Sequence, residues 1–183
     1  MNDAFMSQLN LLYVEDEISV REMLSKRLEK IVKNLYVAVD GEDGYEKYLE
    51  HKPDLILTDI TMPKLNGIQM ANKIREIDSQ IPIIVLSAHA DSNFLLDAIE
   101  SGVTGYLIKP INKEKLYTLL ETNAKMIYLD KINKKQLQQI EEQKTILQNI
   151  INAGKNISFV TDFNHISFAN SAFLNFFNIK SIE

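Results

Sequence analysis

The chain has 183 residues, 45% hydrophobic and 25% charged, with a net charge of −5, which leaves room for one globular domain and part of another. It contains no cysteine, which excludes disulfides, thiolate metal sites and a cysteine nucleophile. No run approaches the ~20 uninterrupted apolar residues of a membrane helix, and Met1-Asn2-Asp3-Ala4-Phe5 lacks the basic-then-apolar order of a secretory signal, so a cytoplasmic protein is expected.

Residues 1–124 carry 13 basic against 20 acidic residues, a net of −7, whereas residues 125–155 carry 6 lysines against 3 acids, a net of +3. An acidic first domain argues against a nucleic-acid surface. The basic stretch has no clustered arginines and reads as a solvated helix face.

Five short apolar runs follow one another, each trailed by an amphipathic segment. Leu11-Leu12-Tyr13-Val14 is the first expected strand, and Val20, Met23, Leu24, Leu28 and Ile31 then fall on one helical face. Tyr36-Val37-Ala38-Val39 is the second, followed by a helix from near Gly41 that should bury Tyr45, Tyr48 and Leu49. Leu55 to Thr58 is the third. After the turn at Asn66-Gly67, Ile68, Ala71 and Ile74 share one side of a helix. Ile83-Ile84-Val85-Leu86 is the fourth. Asp91 or Ser92 suits the cap of a fourth helix carrying Leu95, Ala98 and Ile99, with Gly102 as its stop. Gly105-Tyr106-Leu107-Ile108 is the fifth strand, and a fifth helix opens at Asn112 with Leu116, Leu119 and Leu120.

Strict alternation of buried strands and helices implies a parallel sheet covered on both faces. Right-handed crossovers leave few topologies. The expected fold is α/β and flavodoxin-like, with five parallel strands in the order 2-1-3-4-5 and a long C-terminal helix. In that order the first and third strands flank the switch point where open sheets bind ligands.

No glycine or proline interrupts Lys113 to Ala153, too long a run for one capped globular helix. Leu137, Ile140, Leu147 and Ile151, with Lys144 between, fit a short imperfect coiled-coil seam; a helix packed on its own domain is the alternative. After Gly154 the period changes to two. Ile157 to Asp162 and Ile166 to Ala169 read as strands, and Asn170 or Ser171 suits the cap of a helix with Phe173, Phe176 and Phe177. Two strands and a short helix cannot bury their own apolar face, so residues 154–183 read as the start of a second domain. The expected division is 8–125, a helical linker at 126–153, and 154–183.

The chemistry gathers at the strand ends. The third strand ends in Asp59, and Pro63 and Asn66-Gly67 then force a loop. The first ends in Glu15-Asp16, the fourth in Ser87-Ala88 and the fifth in Lys109-Pro110. Glu15, Asp16 and Asp59 should converge. Carboxylates ~4 Å apart repel by about 1 kcal/mol per pair in water and about 4 kcal/mol at the effective dielectric of a protein surface, so a cation is called for. Oxygen-only ligands select a hard ion such as Mg²⁺. The plainer reading of Glu15 and Asp16 is that they cap the first helix. Lys109 offers a point charge for a phosphoryl group, and Ser87 a hydrogen-bond donor.

Over residues 8–125 the sequence resembles a response-regulator receiver domain of two-component signalling. The motifs that carry the resemblance are Val14-Glu15-Asp16-Glu17, Leu57-Thr58-Asp59-Ile60-Thr61-Met62-Pro63, Leu86-Ser87-Ala88 and Tyr106-Leu107-Ile108-Lys109-Pro110. It implies a regulatory phosphoacceptor, with Asp59 taking a phosphoryl group from a histidine kinase or phosphotransfer protein. It implies Mg²⁺ held by Glu15, Asp16, Asp59 and the backbone carbonyl of Thr61. Ser87 and Tyr106 become switch residues, and the Lys109-Pro110 bond becomes cis. Thr61 and His89 stand where side chains tune dephosphorylation, although His89 reads equally well as a loop residue with no role. His51 and His165 are assigned nothing. Homodimers would form through the C-terminal helix or through the face of the fourth helix, fifth strand and fifth helix. The segment after 125 resembles a signalling helix, and the tail resembles the opening of a PAS domain, notably Ile157 to Asp162 and Phe168-Ala169-Asn170-Ser171-Ala172-Phe173; an independent hairpin-helix extension is the alternative.

Two other functions compete. Mg²⁺-dependent hydrolases resembling the haloacid dehalogenase group also form an aspartyl phosphate, but typically place a second Asp two residues after the nucleophile, where this chain has Thr61. A purely structural dimerisation module built on residues 126–152 is the other.

Overall fold

The computed structural model describes residues 4–88, 102–153, 157, 159–161 and 166–180. It divides into two compact units, Met1–Asp130 and Lys131–Glu183. The elements in chain order are β1 (Asn10–Val14), α1 (Ile18–Leu28), β2 (Asn34–Ala38), α2 (Gly41–His51), β3 (Leu55–Asp59), α3 (Gly67–Arg75), β4 (Ile83–Ser87), β5 (Gly105–Ile108), α4 (Lys113–Ala153), β6 (Phe159–Thr161), β7 (Ile166–Ala169) and α5 (Ser171–Phe177).

In the first unit every strand pair is parallel and the sheet order is β2-β1-β3-β4-β5. This is the flavodoxin-like arrangement expected from the alternation of strands and helices. Successive strand residues point to opposite faces, and the core divides accordingly. Leu11, Tyr13, Leu55, Leu57, Ile84 and Leu86 pack with Leu24 and Leu28 of α1 and Leu116, Leu120 and Ala124 of α4. Leu12, Val14, Ile56, Ile83 and Val85 pack with Tyr48 of α2 and Met70, Ala71 and Ile74 of α3. β3 and β4 are buried along their whole length, as expected of central parallel strands covered on both faces.

Several expectations need correction. Met23 and Leu49 are exposed, and Ile31 lies beyond the end of α1. The helix expected around Leu95, Ala98 and Ile99 lies outside the described residues, as do its N-cap candidates Asp91 and Ser92. Gly102 has a φ of +66°, the left-handed conformation its reading as a stop requires. Asn112 behaves as an N-cap, its Oδ1 accepting from the Lys115 N–H at 3.0 Å.

In the second unit α4 leaves Leu137, Ile140 and Leu147 exposed. β6 and β7 pair antiparallel, with a register shift between Val160 and Thr161. β6 is described over Phe159–Thr161, and Ser158 and Asp162 of the expected strand lie outside the described residues. Asn170 caps α5, accepting from the Phe173 N–H at 3.0 Å. Phe173 is buried, its ring 5.1 Å from Phe159 and 4.6 Å from Phe177, whereas Phe176 and Phe177 are exposed. Among the described residues no helix is long and apolar enough to cross a membrane.

Candidate functional site

Strand register builds the site. Val14 lies opposite Thr58, Asp59 opposite Leu86, and Ser87 opposite Ile108. The residues that follow β1, end β3 and follow β5 therefore meet at the carboxyl edge of the sheet. The ligand atoms of Glu15, Asp16 and Asp59 all lie within 4.8 Å of one another. Glu15 and Asp59 are buried and Asp16 is exposed.

Lys109 joins two of the three. Its Nζ donates to Glu15 Oε1 and Oε2 at 3.0 and 2.9 Å and to Asp59 Oδ2 at 2.6 Å. Burial works against its ammonium, but the bonds to Asp59 and Glu15 outweigh it and hold Lys109 above the ordinary lysine range. Burial raises the Glu15 carboxyl above its ordinary value, with the Lys109 bonds opposing. The Lys109 N–H donates to the Ser87 carbonyl at 2.7 Å, and the Lys109–Pro110 peptide bond is cis.

The loop after Asp59 is fixed from several sides. The Thr61 N–H donates to Asp59 Oδ1 at 3.4 Å, and the Gly67 N–H to the Ile60 carbonyl at 2.9 Å. A Cβ on Gly67 would stand 2.1 Å from the Asp59 carbonyl oxygen, so α3 starts against the backbone of the site and tolerates no side chain there. Asn66 and Gln69 form a reciprocal capping box, a standard way to satisfy the first N–H groups of a helix. Lys64 reaches from the loop to Asp40 Oδ2 at 2.5 Å, and Asp40 accepts from the Glu42 and Asp43 N–H groups to cap α2.

The other expected residues sit nearby in different settings. Ser87 is buried and Thr61 exposed. Tyr106 is partly buried against the α2–α3 face of the sheet. His89 lies outside the described residues.

Sequence reasoning missed Tyr13, Arg21 and Lys64. The Tyr13 hydroxyl donates to Glu15 Oε2 at 3.3 Å; burial, reinforced by the Glu15 carboxylate, keeps this phenol protonated far above its usual range. Arg21 Nη1 donates to the Glu15 and Asp16 carbonyls at 2.7 and 2.9 Å. Tyr13 was detectable, because residues i and i+2 share a face along an extended backbone and Glu15 directly follows β1. Arg21 and Lys64 act through backbone and loop geometry that spacing does not report.

The response regulator receiver domain model matches residues 11–121. The chain is 36% identical over 110 residues to a chemotaxis protein CheY of Bacillus subtilis, a match covering 58% of this chain and 89% of that protein. It is 35% identical over 102 residues to the transcriptional regulatory protein AfsQ1 of Streptomyces coelicolor, covering 56% of this chain but only 45% of that protein. Among solved structures, the N-terminal domain of an uncharacterized protein from Wolinella succinogenes superposes with a TM-score of 0.63 at 38% identity, covering 67% of this chain and 98% of that one. The CheX-CheY complex of Borrelia burgdorferi, crystallised with BeF3 and magnesium, gives 0.59 at 27%, covering 62% of this chain and 87% of that one. By its sheet order, its acidic strand ends and these matches, the chain belongs to the response regulator receiver domain family of two-component signalling.

Proposed function

We propose that Asp59 is the phosphoacceptor of this receiver and that the chain passes the resulting change to a downstream module. The observation that carries the reading is the Asp59 carboxylate at the sheet edge, held by Lys109 at 2.6 Å beside the buried Glu15. Three carboxylates and the Lys109 ammonium thus share one edge of the sheet.

The residues fit a magnesium ion. Their donors are all oxygens, three carboxylates come within 4.8 Å of one another, and Lys109 already lies between two of them as a cation. Glu15, Asp16, Asp59 and the Thr61 carbonyl would hold it. Bound there, the ion supplies charge neutralisation for phosphoryl oxygens.

An Asp59 carboxylate oxygen bonds to the phosphorus of a donor phosphohistidine as the P–N bond breaks; the imidazole leaves with the electron pair and takes up a proton. The Lys109 ammonium pairs with a phosphoryl oxygen. The Ser87 hydroxyl donates to another by a charge-assisted bond. The space Ser87 vacates admits Tyr106, shifting the population between two packings of the face that includes β5 and the start of α4. Thr61, exposed beside Asp59, tunes hydrolysis of the acyl phosphate.

The test is transfer from a small phosphodonor or a phosphotransfer protein. Wild type takes up label and Asp59→Asn takes up none; stable label on Asp59→Asn at the wild-type level refutes the assignment. Steady turnover of a small phosphate ester would favour the hydrolase reading, which Thr61 in place of a second Asp counts against.

On this reading residues 8–125 are the receiver, 126–153 a signalling helix and 154–183 the opening of a PAS-like domain, all in the cytoplasm. The partner is a sensor histidine kinase or phosphotransfer protein. The exposed Leu137, Ile140 and Leu147 support a homodimer through α4. Deleting 126–152 should abolish dimers; phosphate-dependent dimers without that segment point to the receiver face.

A further inference from the structure

We infer that Tyr13 is a positioning residue that presets the Glu15 carboxylate for a divalent cation, an inference that rests on the phosphoacceptor reading of the site. Tyr13 is a fully buried residue of β1. Its ring packs in the core between the sheet and helices α1 and α4, a place that Leu or Val fills without a polar atom. A buried phenol needs an acceptor, and the one it has is Glu15 Oε2 at 3.3 Å. Glu15 directly follows β1, and its N–H still donates to the Ala38 carbonyl of β2 at 3.2 Å, so the extended backbone two positions on from Tyr13 brings the carboxylate to the hydroxyl.

Glu15 needs such a restraint. A glutamate has one more rotatable bond than an aspartate, and fixing it costs side-chain entropy. Three groups hold Glu15: Lys109 on both carboxylate oxygens, Tyr13 on Oε2, and Arg21 on its carbonyl at 2.7 Å. Lys109 is shared with Asp59 and must turn toward a phosphoryl oxygen when one arrives. Tyr13 and Arg21 hold nothing that the reaction alters. They stay as the fixed points of Glu15, the phenol on its head and the guanidinium on its backbone. Hydrogen-bond partners of ligating carboxylates act on metal affinity by this kind of orientation.

The test uses the whole chain and Mg²⁺ alone as the probe. Tyr13→Phe removes one oxygen and keeps the ring. Calorimetric titration should show Mg²⁺ binding weakened about tenfold. The Mg²⁺ concentration that half-saturates phosphodonor labelling should rise by the same factor, with the rate at saturating Mg²⁺ near wild type. In a Glu15→Asp background, whose shorter carboxylate withdraws from the phenol, Tyr13→Phe should change Mg²⁺ affinity less than twofold. Wild-type Mg²⁺ affinity in Tyr13→Phe overturns the inference, and a lower melting point in EDTA beside that unchanged affinity marks Tyr13 as core packing only. A tenfold loss of Mg²⁺ affinity with no label on Asp59 in the wild type keeps the positioning role and removes the phosphoacceptor reading instead.

Discussion

Gly67→Ala tests whether α3 sets the geometry of Asp59. The added Cβ would stand 2.1 Å from the Asp59 carbonyl oxygen and 3.1 Å from Thr58 Oγ1. Real Cβ contacts essentially never fall below 3.0 Å, so the gap must open by 0.9 Å or more. The opposing atom is backbone of a strand buried along its whole length, and it cannot swing away as a side chain can. The Gly67 N–H bond to the Ile60 carbonyl at 2.9 Å is strained by the same shift. Overpacking of this kind costs about 1–3 kcal/mol, and a backbone clash belongs at the upper end. About 3 kcal/mol lowers the melting point of a domain this size by roughly 10 °C. A displacement near 1 Å at a nucleophile costs up to about 10²-fold in rate. Gly44→Ala is the control: its nearest obstacle is the Met70 thioether at 2.6 Å, followed by Val14 methyls at 3.1 and 3.2 Å, and a flexible Met side chain can yield. Thermal melts and phosphodonor labelling of both variants decide the matter. A Gly67→Ala protein that melts within about 2 °C of wild type and labels at the wild-type rate, or one that suffers less than Gly44→Ala, refutes the reasoning.

Lys109→Met leaves the fully buried Glu15 without its cation, and breaking such a pair costs about 3–5 kcal/mol; denaturant melts in EDTA should show the lower end of that loss, because Lys109 is partly exposed, and Mg²⁺ should restore part of it. Acid should also destabilise the receiver. The Lys64 and backbone N–H bonds hold Asp40 below its usual 3.8. Asp78 is held below it too, the Gln80 and Ile81 N–H bonds outweighing burial. With folded values below unfolded ones, stability is fully present above about pH 4 and lost as pH falls through the depressed values. Asp40→Asn keeps the cap but not the charge, so the pH profile of its melting point should be flatter below pH 4; an unchanged profile counts against the Asp40–Lys64 pair. Asn170→Ala should cost about 1 kcal/mol through the lost cap of α5 and speed amide exchange in residues 166–177 while leaving the receiver melt untouched.

The strands were legible as near-continuous apolar runs, the pattern that burial on both faces demands of the central β3 and β4 and that the half-buried edge strands β2 and β5 share. Their ends mark where an apolar run meets Glu15, Asp59, Ser87 or Lys109, so the edge that carries the chemistry is legible in the sequence. Helix faces were less secure. Met23 and Leu49 fit the spacing of a buried stripe and are nevertheless exposed, since periodicity states which residues share a face and not how wide the covering layer is. The Lys64 contact to Asp40 joins residues 24 apart through a loop in which Lys64 takes a φ of +62°, a conformation no residue pattern announces.

Asn170 shows the same limit at the second unit. The sequence offers Asn170 or Ser171 as the N-cap, and Asn170 is the one that caps α5. It is also fully buried, and its Nδ2 donates to the Ile151 carbonyl at 3.1 Å, while Asn152 Oδ1 accepts from the Ser171 N–H at 3.1 Å. The last four carbonyls of a helix have no partner within it, and here the residues that open α5 supply one. A single side chain thus closes one helix and starts the next. A rotation of the last turn of α4 cannot leave the β7–α5 junction in place without breaking both bonds. The coupling between the two elements is therefore a property of Asn170 and Asn152 rather than of the apolar seam that the period of α4 displays.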